Sequence, residues 1–153
     1  MSAVPKTGVS YCAMREDDLA AVMAIERKIY EFPWTQGNFH DSLRAGYSCW
    51  LCREEHELLG YAVLMSVPDE VHLLNLSIAE RHQGLGHGRR MLLHLIDNAR
   101  LEKVKKILLE VRPTNSGAIR LYAGFGFKQV GVRHDYYPAA RGREDALVMA
   151  LEL

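Results

Sequence analysis

Residues 73–90, LLNLSIAERHQGLGHGRR, decide how the rest of the chain is read. The apolar segment Leu73-Leu74-Asn75-Leu76-Ser77-Ile78 leads to Gln83-Gly84-Leu85-Gly86-His87-Gly88-Arg89-Arg90, then to Met91, Leu92, Leu95, Ile96 and Ala99 at helical spacing. That order is strand, glycine-rich turn, helix. Three alternating glycines keep side chains out of the turn, so backbone N–H groups at the helix start can approach an anion closely. The anion implied is a pyrophosphate. Gly84, Gly86 and Gly88 are spaced G-x-G-x-G, whereas a dinucleotide fingerprint requires G-x-G-x-x-G with a later acidic residue and a triphosphate loop ends in Gly-Lys-Ser/Thr. Neither pattern is met, and a turn without a ligand stands as the plain alternative at this point.

Outward from this stretch, the chain reads as alternating strands and helices. Val9 to Arg15 is a first strand; Asp17 or Asp18 caps a helix with Leu19, Val22, Met23, Ile25 and Ile29 apolar. Proline in Phe32-Pro33-Trp34-Thr35 breaks that helix, and Thr35 caps a second one through about Ala45, with Phe39 and Leu43 inward. The aromatics between them serve either as a clamp between helices or as substrate contacts. Ser48–Arg53 and Leu58–Val67 form a hairpin around Glu54-Glu55-His56-Glu57, and Glu70–Ile78 is the next strand. The glycine turn and its helix, through Arg100, lead to the strand Ile107–Val111, a right-handed crossover that makes these two strands a parallel pair. Ser116–Ala123 is a short helix, a strand follows through Val132, and Ala146–Leu151 is the last strand, after a connection that includes Tyr136 to Asp145. The class is α/β: a mixed, mostly antiparallel sheet with a central parallel pair, flanked by helices.

With 153 residues, 48% hydrophobic and 25% charged, the chain fits one domain, 1–153, with a proper core. Nineteen basic residues balance nineteen acidic ones, which argues against direct nucleic-acid or membrane-surface binding. The opening MSAVPKTGVS lacks the apolar core of an export signal, and no run approaches the roughly 18 apolar residues of a membrane span, so a cytoplasmic location is expected. Cys49-Trp50-Leu51-Cys52 spells C-x-x-C within a strand-like run, where residues three apart point to opposite faces; ordinary buried thiols are expected. The seven histidines are scattered, and no ligand set for a metal is found.

Glu110 interrupts an apolar strand. Either it is an ordinary surface charge, or it lies in a cleft where desolvation would strengthen it as a general base. Its context is specific: Leu109-Glu110-Val111-Arg112, then Thr114-Asn115, then Ala118-Ile119-Arg120-Leu121-Tyr122, then Gly124-Phe125-Gly126-Phe127. This segment resembles the L-E-V-R-x-x-N-x-x-A-I-x-L-Y-x-x-x-G-F segment of the GCN5-related N-acetyltransferases, and Gln83-x-x-Gly86-x-Gly88 is similar to their coenzyme A signature. FPWT at 32–35 and DYYPAARGREDALVMAL near the C-terminus further resemble one subfamily, the bacterial ribosomal-protein-alanine N-acetyltransferases. One departure is that Ala79-Glu80-Arg81-His82 lacks the proline often found before the turn.

The resemblance implies a parallel strand pair splayed around acetyl-coenzyme A, with no metal, and transfer of acetyl to the α-amine of a protein N-terminus. The implied target is the eighteenth small-subunit ribosomal protein. Glu110 is the implied general base, directly or through water, and Tyr122 the implied acid for the departing thiolate. Leu76, Ser77 and Ile78 would pair with the pantetheine amides and a backbone N–H there would meet the oxyanion. Gln83, Gly84, Leu85, Gly86, His87, Gly88 and Arg89 would hold the pyrophosphate, and Asn115, otherwise a helix cap, would bond the cofactor. Phe32, Trp34, Tyr136 and Tyr137 would flank the peptide entrance, with Glu31, Asp41, Glu144 and Asp145 drawing a basic peptide against the opposing Arg141 and Arg143. A monomer or weak dimer is expected. The alternatives within the fold are a lysine or small-amine acetyltransferase, or a non-catalytic acyl-coenzyme A binding module.

Overall fold

The computed structural model describes residues 8–153; the expectation that no export signal opens the chain falls partly on residues 1–7, outside the described residues. Seven strands are present: β1 (Val9–Ala13), β2 (Ser48–Glu54), β3 (Glu57–Val67), β4 (Glu70–Ile78), β5 (Lys106–Val111), β6 (Lys128–Pro138) and β7 (Arg143–Glu152). The helices are α1 (Leu19–Ile29), α2 (Gln36–Arg44), α3 (His87–Leu101) and α4 (Ser116–Gly124). The sheet order is β1-β2-β3-β4-β5-β7-β6, with β4 and β5 parallel in the register Glu70↔Lys106 to Leu73↔Leu109. The mixed, mostly antiparallel sheet with one parallel pair is as the crossover argument requires. The chain divides into two compact units, one of residues 8–64 and 75–92, the other of 65–74 and 93–153.

In the first unit β1, β2 and β3 form an antiparallel meander. Glu54 pairs with Glu57, so the hairpin turn is only Glu55-His56, with Glu55 at φ 56°, rather than the four charged residues expected. The ladder slips between Cys52 and Arg53, where Cys52 faces Gly60 and Arg53 faces Leu58. Both Cys49 and Cys52 are buried, and burial pushes each thiol up to about 11, which leaves them protonated and unreactive near neutrality.

Two helix starts in this unit differ instructively. Thr35 caps α2 through a full capping box: its Oγ1 accepts from the Asn38 N–H at 3.0 Å, and Asn38 Oδ1 accepts from the Thr35 N–H at 2.9 Å. Asp18, expected to cap α1, stands before it without a side-chain cap bond. Its carboxylate is taken by the Arg15 N–H at 2.8 Å and the Arg53 guanidinium at 3.0 Å. The buried stripe of α1 is Leu19, Val22, Met23 and Glu26, a helical i, i+3, i+4, i+7 set whose last member is a carboxylate.

In the second unit β5 pairs antiparallel with β7, and β7 with β6. Ile107, Leu109 and Val111 are buried on one face of β5 while Leu108 and Glu110 alternate with them. The connection read between the last two strands is largely strand. The β6–β7 hairpin closes over residues 139–142, with Gly142 at φ 67° and the Ala139 N–H donating to Gly142 O at 3.3 Å. Register shifts between Gln129 and Gly131 and between Arg133 and Tyr137, with Asp135 at φ 53°, let β6 run past Val132, where the strand was expected to end. Tyr136 and Tyr137 therefore stand on a strand. Among the described residues, no helix is long and apolar enough to cross a membrane.

Gly60 is where two backbones touch. A Cβ there would lie 2.4 Å from Ser77 O and 2.6 Å from Ile78 Cδ1, and the Ala79 N–H donates to Leu59 O at 2.8 Å. Only a residue without a side chain permits that approach. Gly60→Ala is expected to lower unfolding stability by about 1–3 kcal/mol or more, measured by urea denaturation, because backbone rather than a flexible side chain must move.

Candidate active site

The glycine turn belongs to the first unit. Gly84 and Gly86 have φ of 77° and 87°, backbone that side-chain-bearing residues rarely adopt, so these glycines make the turn possible. Arg90, one turn into α3, folds back over it: its Nη2 donates to Leu85 O at 2.9 Å and lies 3.2 Å from His87 Nδ1. A Cβ at Gly86 would sit 2.7 Å from Arg90 Nη1. Leu85 is 60% exposed and Arg89 exposed, whereas His87 is buried at the first position of α3. Burial, then the Arg90 charge, then His82 hold the His87 imidazole below its ordinary value, so near neutrality it accepts from Arg90 rather than adding charge. A 15-residue helix opens at this turn, with two arginines in its first turn, so the positive end of its dipole lies here.

Gln83 does not point away from the chain as a ligand-seeking side chain. Its Nε2 donates to Ile78 O at 2.9 Å and ties the turn to the end of β4. Leu76 and Ile78 share one face of β4, while Asn75 and Ser77 are buried on the other. Ser77 Oγ donates to Asn75 Oδ1 at 2.6 Å, so its side chain is structural and only its main chain faces the role expected for it.

Phe32 and Trp34 part company. The Trp34 ring packs on buried Phe39, with centroids 5.0 Å apart, and Phe39 in turn meets Tyr61 edge-on at 5.7 Å. Trp34 is therefore the clamp between helices, and Phe32, 38% exposed, is the aromatic presented at the surface.

The second unit holds Glu110, Tyr122, Asn115, Tyr136 and Tyr137. The Glu110 side chain is 15% exposed, and its Oε1 accepts from Arg133 Nε at 3.1 Å. Arg133 also lies over the Tyr136 ring at 5.6 Å. Tyr137 is covered by the Arg112 guanidinium at 4.4 Å from the ring centroid. Burial, then the neighbouring Tyr136 and Glu110, raise its hydroxyl well above the usual tyrosine range, so it stays a neutral hydrogen-bonding group at any physiological pH. Arg112 Nη1 further donates to Pro138 O at 2.9 Å and Glu144 Oε1 at 2.8 Å, and the Thr114 hydroxyl donates to Glu144 Oε2 at 2.8 Å. Those bonds hold Glu144 below the usual carboxylate range. Asp145 is likewise lowered, by the Asp135 N–H and His134, and Arg143 is spent on the carbonyls of Asp135 and Tyr136. Glu144 and Asp145, two of the four acidic residues read as peptide attractors, are thus engaged within the protein.

Tyr122 is buried at the end of α4, its ring 5.5 Å from Phe127. Asn115 caps α4: its Oδ1 accepts from the Ala118 N–H at 3.2 Å, a bond that uses the amide oxygen and not the nitrogen. Sequence reasoning missed Arg112 and Arg133 as the partners that organise this face, and Glu26, Tyr61 and Asn75 as a buried polar group in the first unit. A charged residue at the helical core spacing of α1 was the available signal for Glu26.

Comparison with known proteins agrees with this geometry. The acetyltransferase (GNAT) family profile matches residues 19–127. The [ribosomal protein bS18]-alanine N-acetyltransferase of Escherichia coli (strain K12) is 35% identical over 141 residues, covering 92% of this chain and 95% of that protein. The crystal structure of the ribosomal-protein-S18-alanine N-acetyltransferase from Escherichia coli superposes with a TM-score of 0.88 at 34% identity, covering 94% of this chain and 93% of the other. Arabidopsis thaliana Naa50, in complex with the bisubstrate analogue CoA-Ac-MVNAL, shares the fold at a TM-score of 0.81 and 21% identity, covering 95% of this chain and 99% of the other.

His87 makes a pH dependence readable. The folded state resists protonating it, so the unfolded chain binds that proton more readily. Stability is full above about pH 6.5 and falls as pH drops below that toward the folded value. His94, also lowered by burial, adds the same sign. His87→Asn is expected to flatten, without abolishing, the decline of Tm below pH 6.5 in thermal melts.

Proposed function

The chain belongs to the acetyltransferase (GNAT) family and is an acyltransferase; from that premise we propose that it acetylates the α-amine of alanine at the N-terminus of a ribosomal protein, with the bS18 homologue as target and acetyl-coenzyme A as donor. The observation that carries this reading is the joint presence of the α1–α2 aromatic loop and the Tyr136–Tyr137 hairpin in a chain 35% identical to an enzyme named for that reaction. A neutral, arginine-covered Tyr137 offers a peptide backbone a polar tip on a rigid ring without demanding one side chain.

In the proposed reaction the pyrophosphate rests on the N–H groups of Gly84 to Arg89, and pantetheine pairs with the main chain of Leu76 to Ile78. Asn115 donates from its amide nitrogen while its oxygen keeps the α4 cap. A free α-amine has a pKa of about 7.7–8.0, so a large share is protonated near neutrality. Glu110 takes that proton, directly or through a water, as nitrogen bonds to the thioester carbon. The C–S bond then breaks, the thiolate takes a proton from Tyr122, and the tyrosinate recovers one from the nitrogen of the new amide. The Arg133 guanidinium on Glu110 Oε1 leaves the other carboxylate oxygen to face the amine.

An Ala-initiated peptide of the target's N-terminal sequence, with internal lysines, is the test substrate. Mass spectrometry is expected to find one acetyl on the α-amine, and none once that amine is blocked; acetylation of the blocked peptide on lysine at a comparable rate would replace this reading with lysine acetylation.

The two proposed proton carriers differ in pH behaviour. Glu110→Gln is expected to lower kcat about 10²–10⁴-fold near neutrality, with less loss at high pH where the amine is already free. Tyr122→Phe should lower kcat with little change in the KM for acetyl-coenzyme A. Wild-type rates in both variants would remove them from the mechanism.

A further inference from the structure

Glu26 is 1% exposed, and its carboxylate is divided among three donors. Oε2 accepts from the Trp34 N–H at 2.9 Å; Oε1 accepts from the Tyr61 hydroxyl at 2.7 Å and from Asn75 Nδ2 at 3.2 Å. The bonds continue. Ser77 Oγ donates to Asn75 Oδ1, and because its one proton is used there, the Tyr30 hydroxyl 2.6 Å away is the donor to Ser77. The network begins at Trp34 and ends at Tyr30, the two ends of the loop that joins α1 to α2.

The position is otherwise apolar. Glu26 continues the stripe of Leu19, Val22 and Met23, where an apolar side chain of similar volume would fill the core without the cost of dehydrating a carboxylate. Tyr61, Asn75 and Ser77 are polar groups on buried faces of β3 and β4, and each is satisfied through this network. Asn75 and Ser77 alternate along β4 with Leu76 and Ile78. The loop is thus fastened at both ends to the strand segment whose main chain the proposed function assigns to the acetyl donor.

We propose that Glu26 is a positioning residue for the substrate peptide: it holds the Tyr30–Trp34 loop at a fixed place relative to the end of β4, so that Phe32 meets the incoming N-terminus in register with the thioester. The inference rests on the reading of this loop as the peptide entrance. The reacting atoms are not touched by Glu26, whose effect passes through the Trp34 N–H and through Asn75.

The test uses the full chain. Glu26→Met keeps side-chain volume and helix propensity but leaves all three donors without their acceptor. Glu26→Gln keeps an acceptor for the Trp34 N–H; its NH2 can donate to the Tyr61 oxygen and to a reversed Asn75 side chain, so of the three donors only the Tyr61 hydroxyl loses its acceptor. In Glu26→Met, hydrogen exchange of the amides of residues 31, 32 and 34 is expected to quicken about tenfold or more, the scale of a lost charge-assisted hydrogen bond. The KM for the Ala-initiated peptide is expected to rise about tenfold, with the KM for acetyl-coenzyme A within about twofold of wild type. Glu26→Gln should restore both. Tyr30→Phe, which leaves Glu26 in place, should shift exchange and peptide KM in the same direction by less, and it carries the test if Glu26→Met does not fold. Unchanged loop exchange in Glu26→Met and Tyr30→Phe, or a KM that rises equally for both substrates, would overturn the proposal. A wild-type protein that leaves the Ala-initiated peptide untouched would instead end the N-terminal reading, and loop exchange would still decide whether Glu26 holds the loop.

Discussion

A carboxylate stays buried only if its oxygens are satisfied, and in the first unit Glu26 sets that demand. Its three donors come from the loop after α1, from β3 and from β4, so those elements have to be placed together to within hydrogen-bond tolerance. Apolar packing alone would tolerate small slips; a shared acceptor does not. The aromatic stack Trp34–Phe39–Tyr61 lies on the same residues, so dispersion and hydrogen bonding specify one arrangement. Gly60 completes it by letting the backbone at Ser77 approach β3 to a distance no side chain permits.

The second unit is organised by paired charge on a face that is open to water. Arg112 binds Glu144, Pro138 O and the Tyr137 ring; Arg133 binds Glu110 and covers Tyr136. Arginine suits this because a planar guanidinium donates along its edges while its face stacks on a ring. Ion pairs near a protein surface contribute little to stability. Their value lies in orientation: they contact two tyrosines of β6 and a candidate base on β5.

The glycine turn serves the fold and, in the proposed reaction, the cofactor. Positive φ at Gly84 and Gly86 turns the chain from β4 toward α3. Arg90 closes over the inside of the turn, and His87 stays neutral beneath it. In the proposed reaction an anion would meet backbone dipoles and the arginine charges of α3.

Much of the architecture was legible because it depends on local rules. Strand, glycine turn, helix and strand in sequence dictate a parallel crossover, Thr35 with Asn38 caps α2 through neighbours three residues apart, and Glu110 and Tyr122 stand in a segment whose spacing is characteristic. Where reading by local rule failed, a distant group had intervened. Asp18 gives up capping α1 because Arg53, 35 residues away, competes for its carboxylate. The strand expected to stop at Val132 continues to Pro138 through a bulge, because cross-strand pairing with β7 carries it on. The pairing of Glu110 with Arg133 and of Glu26 with Tyr61 joins residues 23 and 35 apart, and no periodicity encodes such distances. The sequence by itself determined the order and kind of the elements and offered candidates for the chemistry, because propensity, capping and turn geometry act over a few residues. Only the tertiary structure decided which charges are free to act and which are committed, because desolvation and hydrogen-bond pairing depend on what the fold brings within about 3 Å.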